Sequence, residues 1–240
     1  RDARKLAGLF RAGQLTFVHV PDPSDEVIRD VCRARTDAVE VQTRSRQQLS
    51  ALLLRNGYHY TGLSTWGEPH MRYLRELVLP DPAQKIVLEE YLQRVDSAVA
   101  QVARIEHQME ELLKNWPRRK FVEALQGFRG FQLVASMVVA SELGDLSRFT
   151  HPRQLMAYLG LVPSEQSSGG KRRQGSITKS GNSHVRWMLV EVAHLYRLPP
   201  KVSKELSSRQ EGLSREVRAV SWRAQERLHR RFARLTLRGL

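Results

Sequence analysis

The stretch PAQKIVLEEYLQRVDSAVAQVARIEHQMEELLKNW, residues 82–116, decides the fold class of this chain. Its apolar residues recur at spacings that alternate between four and three, and Glu106 is the polar interruption. They are Leu88, Leu92, Val95, Val99, Val102, Met109 and Leu113. Asp81 and Pro82 are typical of a helix start, and Pro117 ends the pattern. The spacing predicts a long helix with a coiled-coil seam, paired in a hairpin or between molecules; packing within its own domain is the alternative.

Helical patterns also dominate the sequence before this stretch. Residues 2–12 predict a short helix. A longer helix is expected from Ser24, as its N-cap, to about residue 56, with Gly57 just past its end. Between the two, LTFVHV at residues 15–20 is rich in β-branched and aromatic residues and predicts a strand.

After Pro117 the sequence predicts a helical hairpin and a further helix. Residues 119–143 are interpreted as two helices joined by a turn that Gly127 and Gly130 bracket. Such a turn can present backbone amides to a phosphate, and a plain packing role is the alternative. The next helix starts at residue 150 or 151 and stops at Gly160.

The remaining segments alternate between a polar loop and two helices. Residues 164–182, rich in glycine, serine and cations, are expected to form a surface loop. Amphipathic helices are predicted over 183–198 and 213–235. The second helix is expected to turn five apolar residues inward and its arginines outward: Val217, Val220, Trp222, Ala224 and Leu228.

Positive charge is concentrated in the last third of the chain. The protein has 240 residues and a formal net charge of +14. Residues 169–240 contain 17 Lys and Arg against 5 Asp and Glu, whereas the first 168 residues contain 22 against 20. This distribution predicts a polyanion-binding surface in the C-terminal region, and it favours nucleic acid over a membrane surface.

The sequence also excludes several classes of site. A single cysteine, Cys32, excludes a disulfide scaffold and a multi-cysteine zinc site. The histidines lack zinc-ligand spacing, and the Walker phosphate-binding motif is absent. The longest apolar stretch, near residues 133–140, is too short to span a membrane.

The run Ser167-Ser168-Gly169-Gly170-Lys171-Arg172-Arg173 has the components of phosphate chemistry. Glycines allow the backbone to approach a phosphate, cations neutralise it, and a serine hydroxyl can attack it. From the residue types alone, a nucleophilic serine and simple phosphate binding both stay open.

A family resemblance rests on three stretches. HPRQLMAYLGLVPSEQSSGGKRRQGSITKSGNSHVRWMLVEVAHLYRLPP, residues 151–200, closely resembles the C-terminal domain of the IS110 (IS116/IS902) insertion-sequence transposases. RDARKLAGLFRAG, residues 1–13, is similar to the end of that family's N-terminal RuvC-like domain. EVRAVSWRAQERLHRRFARLTLRG, residues 216–239, resembles the C-terminal end of one branch of the family.

The resemblance implies a DNA transposase, a recombinase that excises and inserts a mobile element. A serine of the C-terminal domain would act as nucleophile and link the protein covalently to DNA. A RuvC-like set of four carboxylates would bind a divalent metal, expected to be Mg²⁺. A structured guide RNA, a homo-oligomer joined partly through the coiled coil and a cytoplasmic, nucleoid-associated location with no membrane contact are also implied.

Site residues follow from this resemblance by matching motifs. The nucleophile falls on Ser168, with Ser167 as the neighbouring alternative. The last carboxylate of the metal set falls on Asp2, and the family places the other three before Arg1. The cations expected to bind nucleic acid are Lys171, Arg172, Arg173, Lys179 and Arg186.

The expected fold is mainly α. A remnant of a RuvC-like (RNase H-like) α/β domain is expected at 1–22, a helical coiled-coil region at 23–118, and a basic transposase domain with the serine loop at 119–240. One carboxylate cannot hold the metal pair of an in-line displacement, so the chain is expected to be inactive alone. QGFRG at 126–130 also departs from the P-G-x-G hairpin common in the family. The alternative function is a non-catalytic nucleic-acid-binding relic or regulator.

Overall fold

The computed structural model describes residues 2–15, 20–166, 170 and 173–239 of a largely helical chain. Its helices are α1 (Asp2–Arg11), α2 (Pro23–Arg55), α3 (Glu68–Glu76), α4 (Pro82–Asn115), α5 (Arg119–Gln126), α6 (Leu133–Leu143), α7 (Pro152–Tyr158), α8 (Ser183–Ala193), α9 (Lys204–Arg209) and α10 (Arg215–Thr236). Strands β1 (Pro163–Glu165) and β2 (Gln174–Ile177) pair with each other, and short 3₁₀ helices occupy Leu146–Arg148 and His194–Arg197. The mainly α class is confirmed.

Helix α2 starts slightly earlier than the sequence predicted. Its N-cap is Asp22 and not Ser24: the Asp22 carboxylate accepts the Ser24 backbone N–H at 2.8 Å and the Ser24 hydroxyl at 2.6 Å. Pro23 fills the first helical position, where its missing N–H costs nothing. The helix ends at Arg55, and Gly57 follows with φ of +74°, as predicted.

Helix α4 forms where the heptad pattern predicted it. The Asp81 carboxylate caps it by accepting the Ala83 N–H at 2.8 Å. Four positions of the predicted seam are buried: Leu88, Val95, Val102 and Met109. Val99 is 39% exposed, and its neighbour Ala98 is buried. The buried stripe therefore follows the predicted seam with one local shift.

Helix α2 of the same chain covers this stripe and runs antiparallel to α4. Arg35 near the start of α2 donates to Glu106 near the end of α4 at 2.6 Å. Gln84 at the start of α4 donates to Asn56, just past the end of α2, at 2.8 Å. The two helices therefore form a hairpin within the chain, and pairing between two molecules stays a prediction.

Two apolar cores lie at opposite ends of this hairpin. At one end the core joins α2, α3 and α4 through Leu49, Leu52, Leu53, Leu74, Leu79, Leu88 and Val95. At the other end it is centred on α6, in which residues 135–143 are all buried. Ile28 of α2 and Met109 of α4 join Val122 and Val185 in this second core. The core therefore contains residues from both predicted regions, 23–118 and 119–240.

Helix α10 docks by a different face from the predicted one. Three of the five positions expected to face inward are exposed: Val220, Trp222 and Leu228. The other two, Val217 and Ala224, are half-buried. The fully buried positions are Ser221 and Gln225. The reason is that the surface beneath α10 offers polar backbone: the Ser221 hydroxyl donates to the Gly127 carbonyl at 2.8 Å.

The described residues of the N-terminal segment, 2–15 and 20–22, contribute nothing to either core. Helix α1 forms as predicted but has no buried residue. The strand expected at 15–20 falls mostly on residues 16–19, outside the described residues, so the RuvC-like remnant stays a prediction. Within the described ranges, no helix has the length and apolar character that crossing a membrane requires.

Candidate nucleic-acid interface

The segment predicted as a surface loop, residues 164–182, holds a β-hairpin. Strand β1 pairs antiparallel with β2, with Pro163 opposite Ile177 and Glu165 opposite Gln174. Beyond the strands, the Gln166 N–H donates to the Arg173 carbonyl at 2.9 Å. The segment is exposed as expected, but it is corrected from loop to hairpin because backbone pairing satisfies its amides.

The candidate nucleophile lies in sequence between these two strands. Ser168, its neighbour Ser167 and the cations Lys171 and Arg172 fall outside the described residues. The hairpin brings together the residues that flank them, Gln166 and Arg173. Arg173 is exposed, which suits contact with a phosphate.

Two glycines close the base of the hairpin. Gly160 and Gly181 have φ of +64° and +84°, which favour glycine. A side chain at Gly160 would collide with the backbone of Ser180, and one at Gly181 would collide with the Tyr158 carbonyl. Glycine at both positions lets the two ends of the segment approach within backbone contact, so the hairpin leaves the protein surface at a fixed point.

Arg186, predicted to bind nucleic acid, lies at this base. Its guanidinium Nη1 donates to the Leu159 carbonyl at 2.9 Å and to the Ser180 carbonyl at 3.4 Å. The side chain thus connects α8 to both ends of the hairpin segment. Lys179 lies next to it in the left-handed region, with φ of +55°, and is exposed. Of these two cations, Lys179 is the more exposed, and its contact with nucleic acid stays a prediction.

A buried carboxylate fixes the hairpin base to the protein core. Asn182 caps α8 by accepting the Val185 N–H at 3.0 Å, and its amide donates to Glu142 at 2.7 Å. The Glu142 side chain is 3% exposed and lies 3.2 Å from the guanidinium groups of Arg29 and Arg33. One carboxylate of α6 therefore connects α2 with the start of α8, where the hairpin ends.

The cysteine is unsuited to nucleophilic chemistry. Cys32 lies buried in the larger core, and this burial raises the pKa of its thiol to about 11. The reactive form of cysteine is the thiolate, which is scarce at neutral pH with such a pKa. The assignment of the nucleophile to Ser168 stays a prediction from the family resemblance.

Asp2 is exposed in the first turn of α1. Over the ranges that the structure describes, no group of three or more His, Cys, Asp and Glu side chains could hold a metal ion. The described residues therefore do not fit the Mg²⁺ site that the resemblance implies. Asp2 would need carboxylates from elsewhere to form it.

Sequence reasoning missed the Glu142–Asn182 contact, although both residues carried a signal. Asn182 precedes the helical pattern of α8 at the position where a cap is expected. Glu142 is the acidic residue within the apolar run LVASMVVASEL. A carboxylate in a buried helix requires cationic or hydrogen-bonding partners, but the sequence does not indicate which ones.

Comparison with known proteins gives the family. Residues 122–206, from α5 to α9, match the family model described as the transposase IS116/IS110/IS902 family. The chain is 43% identical over 239 residues to the putative transposase y4qE of Sinorhizobium fredii, a match that covers 100% of this chain and 58% of the relative.

Two further relatives are more distant. The transposase for insertion sequence element IS1533 of Leptospira borgpetersenii is 26% identical over 98% of this chain and 69% of its own length. The transposase for IS1111A of Coxiella burnetii is 24% identical over 80% of this chain and 52% of its own length. The chain thus spans about half to two thirds of these proteins. Residues 122–206 therefore belong to the IS116/IS110/IS902 family of transposases, and the chain is similar to these relatives over the part of their length that it spans.

Proposed function

We propose that this chain is the DNA-processing part of a transposase that cuts and rejoins DNA through a serine nucleophile. The observation that carries the proposal is the hairpin between Gly160 and Gly181. Arg186 and Glu142 hold the base of this hairpin to the core, and the serine- and cation-rich residues lie between its two strands in the sequence. Membership of a transposase family supports the same reaction class.

In the proposed step the Ser168 hydroxyl attacks a phosphorus atom of the DNA backbone. A serine–phosphate bond forms, one bridging P–O bond breaks, and the serine proton balances the alkoxide of the departing DNA end. Because one phosphodiester replaces another, the bond energy is kept for rejoining. Negative charge grows on the phosphoryl oxygens, and cations held nearby stabilise it. Lys171, Arg172 and Arg173 would supply the positive charge that stabilises these oxygens.

The proposed metal rests on the family resemblance alone. Mg²⁺ is proposed from the resemblance, with Asp2 as one ligand, and it would supply charge stabilisation once further carboxylates complete the site. The described residues do not form that site.

The assembly is likewise proposed from the resemblance and the sequence pattern. The exposed side of the α2–α4 hairpin, on which Val99 lies, is where a second copy would pair in the coiled-coil hypothesis. A structured guide RNA would select the target DNA. A protein acting on chromosomal DNA would be found in the bacterial cytoplasm with the nucleoid.

The decisive experiment is Ser168→Ala in a version that carries the three carboxylates placed before Arg1 by the resemblance. With a labelled duplex, we expect loss of the covalent protein–DNA product on a denaturing gel, because the attacking oxygen is gone. Duplex binding, measured by fluorescence anisotropy, should stay within about twofold, because this change removes no charge.

Ser167→Ala is the matched control and should keep the covalent product. A Ser168→Ala protein that still forms the product would refute this serine as nucleophile. A wild-type protein that binds DNA but never forms the product would instead identify the non-catalytic nucleic-acid-binding alternative.

A further inference from the structure

Helix α10 carries a concentration of arginine that the proposed reaction does not use. It contains seven arginines and no lysine in 22 residues, against two glutamates, Glu216 and Glu226. Within the described ranges, none of the seven forms an ion pair or a side-chain hydrogen bond: Arg215, Arg218, Arg223, Arg227, Arg230, Arg231 and Arg234. The helix also lies beyond the residues that match the family model.

Five of these arginines share one face of the helix. At about 100° per residue, Arg223, Arg227, Arg230, Arg231 and Arg234 fall within an arc of roughly 100°. This set is called the arginine face below. It extends over about 16 Å of helix axis, and a DNA duplex carries about ten phosphate charges over that length. Its arginines lie three or four residues apart and repel one another, which an external anion would relieve.

The first half of α10 is anchored by buried polar contacts on the other side of the helix. The Ser221 hydroxyl and the Gln210 amide both donate to the Gly127 carbonyl at 2.8 Å. The Gln225 side chain accepts the Lys201 N–H at 3.1 Å. These contacts fix the direction of the helix and leave the arginine face outside the docked surface.

The second half of α10 is held less deeply than this anchor. From residue 226 to residue 236 no described residue is buried. Leu228 and Phe232 are 37% and 44% exposed, respectively. All five residues of the arginine face are exposed, and a helix of about 10–12 Å diameter fits the major groove of B-DNA, which is about 12 Å wide, whereas the major groove of duplex RNA is too narrow for it.

We infer that the arginine face of α10 is a second DNA-binding element, which holds the phosphate backbone of duplex DNA while the helix lies along its major groove. The inference rests on the proposed function and extends it, because this element is separate from the serine hairpin. Guanidinium groups bind phosphate in a bidentate manner, which accounts for arginine at every cationic position of the helix.

The test compares two fourfold variants of the full chain. The first replaces Arg227, Arg230, Arg231 and Arg234 by Gln. The control replaces Arg11, Arg44, Arg55 and Arg104, all exposed and outside α10, by Gln, so that both lose the same charge. The probe is a fluorescein-labelled duplex DNA of about 30 base pairs. Anisotropy titrations over a range of salt concentrations give the affinity and its salt dependence.

We expect the α10 variant to bind on the order of 100-fold more weakly at 150 mM salt, with a log–log salt slope smaller by about 3, as for the loss of about three phosphate contacts. The control should lose less than about one unit of slope. Replacing the same four α10 arginines by Lys should keep most of the salt slope, because the charges remain. If circular dichroism shows that the Gln variant is unfolded, the Lys variant still tests whether charge at these positions sets the slope.

The other outcomes each overturn something different. If both fourfold Gln variants bind alike, the α10 inference is wrong, while DNA binding by the protein stands. If the wild-type chain binds no duplex, the proposed function fails first. If the α10 variant loses affinity for a duplex RNA probe and keeps it for DNA, the choice of DNA is wrong. If the α10 Gln variant keeps its affinity for both DNA and RNA, the arginine face does not bind nucleic acid, and an acidic protein becomes the candidate ligand.

Discussion

The α2–α4 hairpin and α10 are both long amphipathic helical structures, yet they are held in opposite ways. Between α2 and α4 the buried contacts are apolar, with Leu49 and Val95 at 0% and 1% exposure. Several cations on this hairpin contact carboxylates, as Arg35 does at Glu106. In α10 the buried residues are polar, Ser221 and Gln225, and the arginines have no described partner.

This difference teaches how the protein separates stability from binding. The α2–α4 hairpin buries an apolar stripe and pairs several of its cations with its own carboxylates, so its fold does not depend on an external anion. Helix α10 keeps its cations unpaired and is held by a few directional hydrogen bonds, which are individually weaker than apolar burial. Anchoring and ligand contact therefore occupy opposite faces of α10.

The largest expected effect is at the junction between the two regions. Glu142→Ala removes the carboxylate that Arg29, Arg33 and Asn182 contact, so the Asn182 amide loses its acceptor and the largely buried Arg29 keeps only Glu26 and the Ser141 carbonyl. Breaking such a buried pair costs about 3–5 kcal/mol of unfolding free energy, measured by urea denaturation. Glu110→Ala, at an exposed carboxylate, should change stability by less than about 0.5 kcal/mol. Equal losses in the two variants would mean that Glu142 does not hold the junction.

The next effect tests the apolar side of the comparison. Leu49→Ala leaves a cavity among α2, α3 and α4 and should cost about 2–5 kcal/mol in the same urea measurement. Leu54, five residues further along the same helix, is 65% exposed, so Leu54→Ala is the matched control and should be nearly neutral. A small loss at Leu49 would contradict apolar burial as the force that holds this hairpin.

The smallest effect tests the polar anchor of α10. Ser221→Ala removes one of the two donors to the Gly127 carbonyl, and the Gln210 amide remains as the other. The expected loss of unfolding free energy is therefore about 1 kcal/mol. Ser208→Ala, at an exposed serine nearby, is the control. If Ser221→Ala destabilised the protein as much as Leu49→Ala, the contrast between the two regions would disappear.

Much of the helical framework was predictable because helix ends are local features. Asp81, Pro82 and Gly57 act on residues within a few positions, so their patterns could be read directly. The cap of α2 was misassigned by two residues because Asp22 and Ser24 are both good caps, and only the position of the backbone distinguishes them. The β-hairpin was missed because its strands have three and four residues and no apolar alternation.

The candidate site was also predictable only in part. The sequence indicated the serine segment and its cations by residue type, and the structure describes how that segment is held, through Gly160, Gly181 and Arg186. Arg186 was grouped with the phosphate-binding cations, because a sequence does not distinguish an arginine that caps carbonyls from one that faces solvent. Glu142 was missed for the same reason.

By itself, the sequence determined most of the helices, though not the short α3 and α9, and it also determined the concentration of positive charge after residue 168 and the family resemblance. These depend on local spacing, composition and motifs. Only the tertiary structure decided that α2 covers the seam of α4, that Glu142 meets Asn182 and that Ser221 faces Gly127. The last two contacts join residues 40 and 94 positions apart. The physical reason is that burial and hydrogen-bond partnership belong to pairs of distant residues, so the identity of one member cannot specify the other.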